Sequence, residues 1–166
     1  MRLANIMVYL AIALGLAGCG YHPLYTTASD GRGVADSLSS ISIQEASTRA
    51  GQLVRNNLLS SMRPAGTAQQ NLFNLVLTPT VAQTVLVDKD KPGIQRKRLR
   101  LSVAYQLIEI SSGSAVNSGK TFSNISYDVV HEPIADLQAE SNATDRAAQE
   151  VGDDIRTRLA AFMASR

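Results

Sequence analysis

The chain has one cysteine, two histidines and no tryptophan among its 166 residues, and its formal net charge is only +2. A single cysteine cannot form an internal disulfide or supply a cysteine-rich metal site. So small a net charge excludes the strongly basic balance of many nucleic-acid-binding proteins, and we expect no nucleic-acid partner. Hydrophobic residues make up 45% of the chain and charged residues 18%, which indicates a globular protein with room for one domain.

Catalytic motifs are also missing from the sequence. His22 and His131 are the only candidates for a general base at neutral pH, and neither has a partner at the spacing of a known catalytic motif. We find no nucleophile elbow, phosphate-binding loop, zinc-binding His-Glu-x-x-His or paired-cysteine motif. We therefore expect neither enzyme activity nor a metal ion. Loss of function on replacing either histidine alone would revive the enzymatic alternative.

The N-terminal segment is typical of a secretion signal. Arg2 is followed by an uncharged run from Ile6 to Ala17. As a helix this run would span about 18 Å at roughly 1.5 Å per residue, well short of the ~30 Å hydrocarbon core of a bilayer. The run therefore indicates a signal peptide rather than a transmembrane helix.

The end of this segment carries the single cysteine. Leu16-Ala17-Gly18-Cys19 resembles the lipobox of bacterial lipoproteins. The resemblance implies cleavage between Gly18 and Cys19, a diacylglycerol on the Cys19 thiol and an acyl chain on the new amino group. Several chains anchor a protein stably, whereas one binds only marginally. Gly20, rather than an acidic residue, follows the cysteine, which in this resemblance favours the outer membrane. The alternative is an incidental cysteine after an ordinary secretory signal.

The lipobox resemblance implies a signal peptide (1–18) and a lipidated tether (19–38), and hydrophobic periodicity predicts one domain after them (39–166). The tether ends in small and polar residues. In the domain, a short strand and a helix precede about three alternating strands, and helical periodicity returns after Pro133. Hairpin-spaced strands imply antiparallel pairing, with the helices covering one face. The predicted fold is α+β, a two-layer sandwich with a largely antiparallel sheet of about four strands and two helices on one face, in the order β-α-β-β-β-α.

The same patterns predict individual positions. Ser47 is the predicted N-cap of the first helix, and the apolar side chains expected to face the core are Ala50, Leu53, Val54, Leu58 and Met62 on that helix, Phe73, Leu75, Leu77, Val81, Leu99, Leu101, Val103, Tyr105 and Leu107 on the strands, and Leu137, Ala148, Val151, Ile155, Leu159 and Phe162 on the last helix. Gly152, within that helix, is expected to be a small defect of about 1 kcal/mol relative to alanine.

Charge patterning is the strongest polar feature. Residues 89–100 are strongly basic, whereas residues 128–154 are strongly acidic. Arg96, Arg98 and Arg100 have the same parity, so on a strand they would line one face as a basic stripe. Such a stripe suits phosphate groups, which arginine binds bidentately. The alternative is a solvated hairpin that protects an edge strand or pairs with the acidic segment.

A family resemblance follows from three features: the sequence Cys-Gly-Tyr-His-Pro-Leu-Tyr beginning at Cys19, the strand–helix–strands–helix order, and the ending IRTRLAAFMAS (residues 155–165). Together they resemble the LPS-assembly lipoprotein family LptE in its short alphaproteobacterial form. The resemblance implies an outer-membrane lipoprotein on the periplasmic face whose domain lies within the lumen of the β-barrel LptD. Such proteins plug the barrel, help it assemble and bind lipopolysaccharide on its way to the cell surface.

The expected ligands of the chain follow from this resemblance. The partners it implies are an LptD-type β-barrel, lipopolysaccharide and, through the lipid on Cys19, the membrane itself; no other cofactor is expected. From charge and context alone, the candidate contacts to lipopolysaccharide phosphates are Arg96, Lys97, Arg98 and Arg100. The alternative function is that of an accessory lipoprotein of an ABC-type or lipid-trafficking system, which would need no barrel partner.

Overall fold

The structure is a computed structural model that describes residues 33–63, 70–86 and 95–166. The described elements are α1 (Val34–Ser39), β1 (Ile41–Ile43), α2 (Arg49–Met62), β2 (Phe73–Leu86), β3 (Gln95–Glu109), β4 (Ala115–Val129) and α3 (Pro133–Ala164). The predicted signal peptide, the lipidation site at Cys19 and its neighbour Gly18, and His22 all lie outside the described residues.

The strands form one mixed sheet in the order β1-β2-β3-β4. β2, β3 and β4 pair antiparallel, as their hairpin spacing predicts, while β1 pairs parallel with β2. The parallel pair follows from the intervening α2, because two parallel neighbours need a crossover connection. With α2 and α3 packed on the sheet, the structure confirms the predicted α+β fold.

β3 is the clearest case of a strand that its sequence pattern predicts. Five alternate residues are buried against the helices, as expected: Leu99, Leu101, Val103, Tyr105 and Leu107. Their even-numbered neighbours lie on the other side, because successive side chains of a strand point to opposite faces. This central strand therefore holds the core and presents its polar residues away from it.

The last strand is more regular in structure than in sequence. Every odd-numbered residue of β4 from Thr121 to Val129 is buried. Thr121 and Ser123 interrupt the apolar alternation, and the Ser123 hydroxyl donates a hydrogen bond to the Glu150 carboxylate of α3. A polar residue at a buried position is stable when it is hydrogen-bonded, and it hides the strand pattern in the sequence.

Helices α2 and α3 bury their apolar stripes, but each differs from the prediction near its N-terminal end. The prediction of Ser47 as the N-cap of α2 is wrong by one residue, because the Thr48 hydroxyl accepts the hydrogen bond from the Gly51 amide at 3.1 Å. In α3 the buried positions begin at Ala143. Leu137, predicted to face the core, is instead 71% exposed, because it lies in the first turns of the helix, ahead of these buried positions.

A third helix, α1, lies in the segment expected to be a tether. Val34 and Leu38 are one helical turn apart and both are buried, and α1 contacts α2 and α3. Two apolar side chains at this spacing are enough to hold a single turn of helix against a larger core. The packed part of the domain thus includes Val34, five residues before the predicted boundary at 39.

Gly152 has a packing role that its sequence position does not reveal. It is buried in α3, and a Cβ atom placed on it would lie 2.9 Å from Cγ of Asn57 in α2. The Oδ1 atom of Asn57 is buried without a hydrogen-bond partner within the described residues. The absence of a side chain at Gly152 therefore lets the Asn57 side chain fit between the two helices.

We expect Gly152→Ala to lower the free energy of unfolding by up to about 2 kcal/mol, because overpacking costs roughly 1–3 kcal/mol and the helix-propensity gain is about 1 kcal/mol. In an Asn57→Ala background, where the clash is absent, the same substitution is expected to be neutral or stabilising. Urea unfolding of the two single variants and the double variant measures the difference. Equal destabilisation in both backgrounds would rule out this packing explanation.

Candidate functional site

The sheet has one covered and one uncovered face. Odd-numbered residues of β2 and β3 and of β4 from Asn117 onward lie on the side of the helices, where the buried residues are found. Even-numbered residues lie on the other side, which no described helix covers. We call this second side the open face. Most of its side chains are exposed, so any polar group placed there is available to a ligand.

The open face carries a concentration of positive charge. Arg96, Arg98 and Arg100 lie on it in the first half of β3, which confirms the predicted stripe. Lys120 of β4 lies on the same face. Among the described strand residues of this face, Asp128 is the only acidic one. Four basic side chains against one carboxylate give the face a net positive charge, although the whole chain is close to neutral.

Two of the three arginines of the stripe are held by neighbours on β4. The Arg96 guanidinium donates to both carboxylate oxygens of Asp128, at 2.8 Å from Nε and 3.3 Å from Nη2. Arg100 lies over the Phe122 ring, 4.2 Å from its centroid. Exposed contacts of these kinds contribute only about 0–1 kcal/mol each. Their main consequence is orientation, because each fixes an arginine on the open face.

Arg98 lies between these two residues and differs from both. Its register neighbours are Thr84 of β2 and Ser126 of β4, both small and uncharged. No hydrogen bond or ion pair to Arg98 is present within residues 33–63, 70–86 and 95–166. Its guanidinium therefore has donors available for a ligand, as does that of Arg100, which lies over the Phe122 ring.

Lys97, the fourth predicted contact, is not part of this group. It lies on the side of the helices, between Val85 and Tyr127 in the register, and it is partly buried. The Tyr127 hydroxyl donates to Oε1 of Gln83 at 3.4 Å, and burial, with nearby Glu140, raises the pKa of Tyr127. The sheet thus separates Lys97 from the three arginines, because neighbouring residues of a strand point to opposite faces.

The structure adds two residues that sequence reasoning missed, Lys120 and Phe122. Phe122 is 54% exposed beside the stripe, which is unusual for a large aromatic side chain. Both have even numbers and so lie on the open face of β4. Parity was available in the sequence, but the polar residues Thr121 and Ser123 at buried positions obscured which side of β4 faces the core.

Three other features bear on the kind of site in the described residues: the histidine, metal-binding clusters and membrane-spanning helices. His131 is an exposed residue with a φ of 63° in the connection between β4 and α3. Within the described ranges, no group of three or more His, Cys, Asp or Glu side chains is arranged to hold a metal ion. None of the described helices combines the length and the apolar character needed to cross a bilayer.

Comparison with solved structures relates this fold to bacterial lipoproteins. A protein classed as a lipoprotein from Caulobacter crescentus CB15 superposes with a TM-score of 0.66 at 26% identity, covering 80% of this chain and 97% of that one. A minor lipoprotein from Acinetobacter baumannii superposes with a TM-score of 0.53 at 15% identity, over 74% and 89% of the two chains. For rare lipoprotein B from Shewanella oneidensis the TM-score is 0.45 at 15% identity, over 75% and 95%.

No protein-family model and no curated protein matches the sequence. The comparison that bears on this chain is therefore the structural one. The superposition on the Caulobacter lipoprotein includes nearly all of that protein. It agrees with the lipoprotein signal predicted at the N terminus. The chain shares its fold with bacterial lipoproteins of the cell envelope.

Proposed function

We propose that this chain is a non-enzymatic outer-membrane lipoprotein that plugs and helps assemble an LptD-type β-barrel and binds lipopolysaccharide during its transport to the cell surface. The observation that carries the proposal is the open face, a sheet surface with Arg96, Arg98, Arg100 and Lys120 around an exposed Phe122. The fold shared with bacterial lipoproteins and the predicted anchor at Cys19 support the envelope location.

The chemistry of the open face matches a phosphate-bearing glycolipid. Arginine binds phosphate oxygens through parallel hydrogen bonds, and charge-assisted bonds of this kind are stronger than neutral ones. Alternate arginines of a strand repeat at roughly 6.5–7 Å, so more than one phosphate of a lipid headgroup can be contacted at once. Phe122, on the edge strand β4 beside Arg100, offers apolar surface to the lipid next to these charges. Lys97 has no part in this contact.

A place inside a barrel is also compatible with the shape of the domain. The described helices cover one side of the sheet and not the other, so the described domain has two chemically different sides. In the proposal one side meets the barrel wall and the open face meets the lipid. The lipid on Cys19 would hold the domain at the inner leaflet of the outer membrane, where the periplasmic end of a barrel opens.

Co-purification tests the proposal. We would extract outer membranes in detergent, capture the chain through a tag after Arg166 and identify any protein recovered in equal amount. A large β-barrel at a one-to-one ratio that resists high salt is the expected result. Capture without a barrel, or with inner-membrane transporter subunits, would refute the proposal and favour an accessory lipoprotein of an ABC-type or lipid-trafficking system. Cys19→Ala is the matched control, because it is expected to lose the outer-membrane fraction.

A further inference from the structure

The second half of β2 is an exposed edge of the sheet. β1 pairs with β2 only at residues 73–75, and no described strand pairs with β2 on that side beyond them. Every residue from Thr80 to Val85 is exposed, including residues on the side of the helices. Val81, predicted to face the core, is instead 45% exposed, and Val85 is 50% exposed. The six residues from Thr80 to Val85 are therefore exposed on both faces, and their outer edge has no strand partner within the described residues.

The backbone groups at this edge can be assigned from parity. The Gln44 amide of the segment after β1 donates to the Leu75 carbonyl, so the polar groups of odd-numbered residues in β2 point away from β3. By the same alternation, the N–H and C=O groups of Val81, Gln83 and Val85 point to the free edge. Pro79 fits this assignment, since a proline without an N–H is tolerated where no ladder partner is needed.

The side chains of this edge lack the usual protection against strand pairing. Exposed edges are commonly guarded by charged residues, proline or bulges. From Thr80 to Leu86 the sequence is TVAQTVL, with no charge, no proline and no glycine. The opposite edge, β4, carries Lys120 and Asp128. An unprotected, uncharged and β-branched segment is suited to receive another strand by edge addition.

The positive charges near this edge favour an added strand that carries acidic side chains. On the open face, Arg100 and Arg98 of β3 lie next to Ala82 and Thr84 of β2. Ala82 and Thr84 have small side chains. A strand added to β2 would lie two strand spacings from β3, about 10 Å away, which is comparable to the Debye length of about 8–10 Å. Acidic side chains on its open face would be attracted by Arg98, whereas a second copy of this chain would add only another basic stripe.

We infer that Thr80–Leu86 is a docking edge for an extended segment of a partner protein, one that carries acidic side chains on the open face and apolar side chains toward Val81 and Val85. The partner strand hydrogen-bonds to Val81, Gln83 and Val85 and extends the sheet by one strand. This inference goes beyond lipid binding and does not depend on it. It requires only the free edge and the charge of Arg98.

Amide hydrogen exchange followed by NMR on the full chain in detergent tests the inference. The probe is the capped peptide Thr-Glu-Val-Glu-Val-Glu-Thr, and the same peptide with lysine in place of glutamate is its control. We expect the glutamate peptide to slow exchange of the Val81, Gln83 and Val85 amides at least tenfold. The amides of Ala82 and Thr84, already bonded to β3, should not change. The lysine peptide should bind at least tenfold more weakly.

Substitutions separate the backbone contribution from the charge contribution. Val81→Pro removes one edge N–H without removing a bond to β3, and it is expected to abolish the peptide effect, while Val81→Ala keeps it. Arg98→Glu should reverse the preference between the two peptides. Val81→Pro should leave lipid binding unchanged, so this test is distinct from that of the proposed function.

Three results would overturn the inference. One is the absence of protection by the glutamate peptide. The second is protection of the three amides at high dilution without peptide, which would show that another segment of this chain covers the edge. The third is protection that rises with protein concentration alone, which would show pairing with a second copy.

Discussion

Replacing Leu101 by alanine is expected to lower the free energy of unfolding by about 2–5 kcal/mol, the range for truncating a fully buried leucine. Leu101 is 0% exposed and lies at the centre of β3, between Val81 and Ser123 in the register. Strands on both sides hold its position, so the cavity left by the lost atoms cannot collapse easily. The loss combines the transfer free energy of those atoms with the cost of the cavity.

Urea unfolding monitored by circular dichroism measures this loss. Arg98→Ala is the matched control, because it lies three residues away on the same strand, on the open face, and has no ion pair in the described residues. Its effect is expected to stay within about 0.5 kcal/mol. Similar losses for the two variants would contradict the assignment of one face of β3 to the core and the other to solvent.

The second large effect concerns the ligand. Replacing Arg96, Arg98 and Arg100 together by alanine is expected to weaken lipopolysaccharide binding at least tenfold at matched ionic strength. A hydrogen bond to a charged group contributes about 1.5–3 kcal/mol, so loss of even one phosphate contact is enough for this change. The variant should also lose most of the salt dependence of binding, because that dependence comes from the charges removed.

A charge-matched control distinguishes a site from general attraction. Arg49, Arg146 and Arg158 lie on the helices and are exposed, and their triple alanine variant has the same net charge as the stripe variant. We expect it to bind lipopolysaccharide within twofold of the unchanged chain. Equal weakening in both variants would show that only net charge matters, and unchanged binding in the stripe variant would remove the open face as the lipid site.

Much of this architecture could be predicted from local sequence because it depends on local periodicity. β3 alternates cleanly, and its parity places Leu101 toward the core and Arg98 toward solvent without knowledge of any partner strand. The apolar stripe of α2 likewise requires only helical spacing. In β3 and α2 the apolar residues of the sequence pattern lie on the buried side of the structure, because one side of each element packs against the core.

Other features depend on contacts between distant residues and could not be predicted in this way. The burial of Ser123 depends on Glu150, 27 residues later, so the polar residue interrupts the apolar alternation of β4 in the sequence. Leu137 fits the helical stripe, but its exposure depends on how the first turns of α3 pack against the rest of the domain. The strand register places Phe122 of β4 beside the basic stripe of β3 on the open face. The hydrophobic pattern of each strand alone does not define this register.

The most direct test of the lipid-binding claim is photo-crosslinking in living cells from a benzoylphenylalanine placed at position 122. Phe122 lies beside Arg100 on the open face, so the photoreactive ring would replace a ring already next to the basic stripe. The control position is Asn56, exposed on α2 on the other side of the sheet. Capture of lipopolysaccharide from position 122 and not from position 56 is the predicted result. No capture at 122, or equal capture at both positions, would contradict the open face as the proposed lipopolysaccharide site.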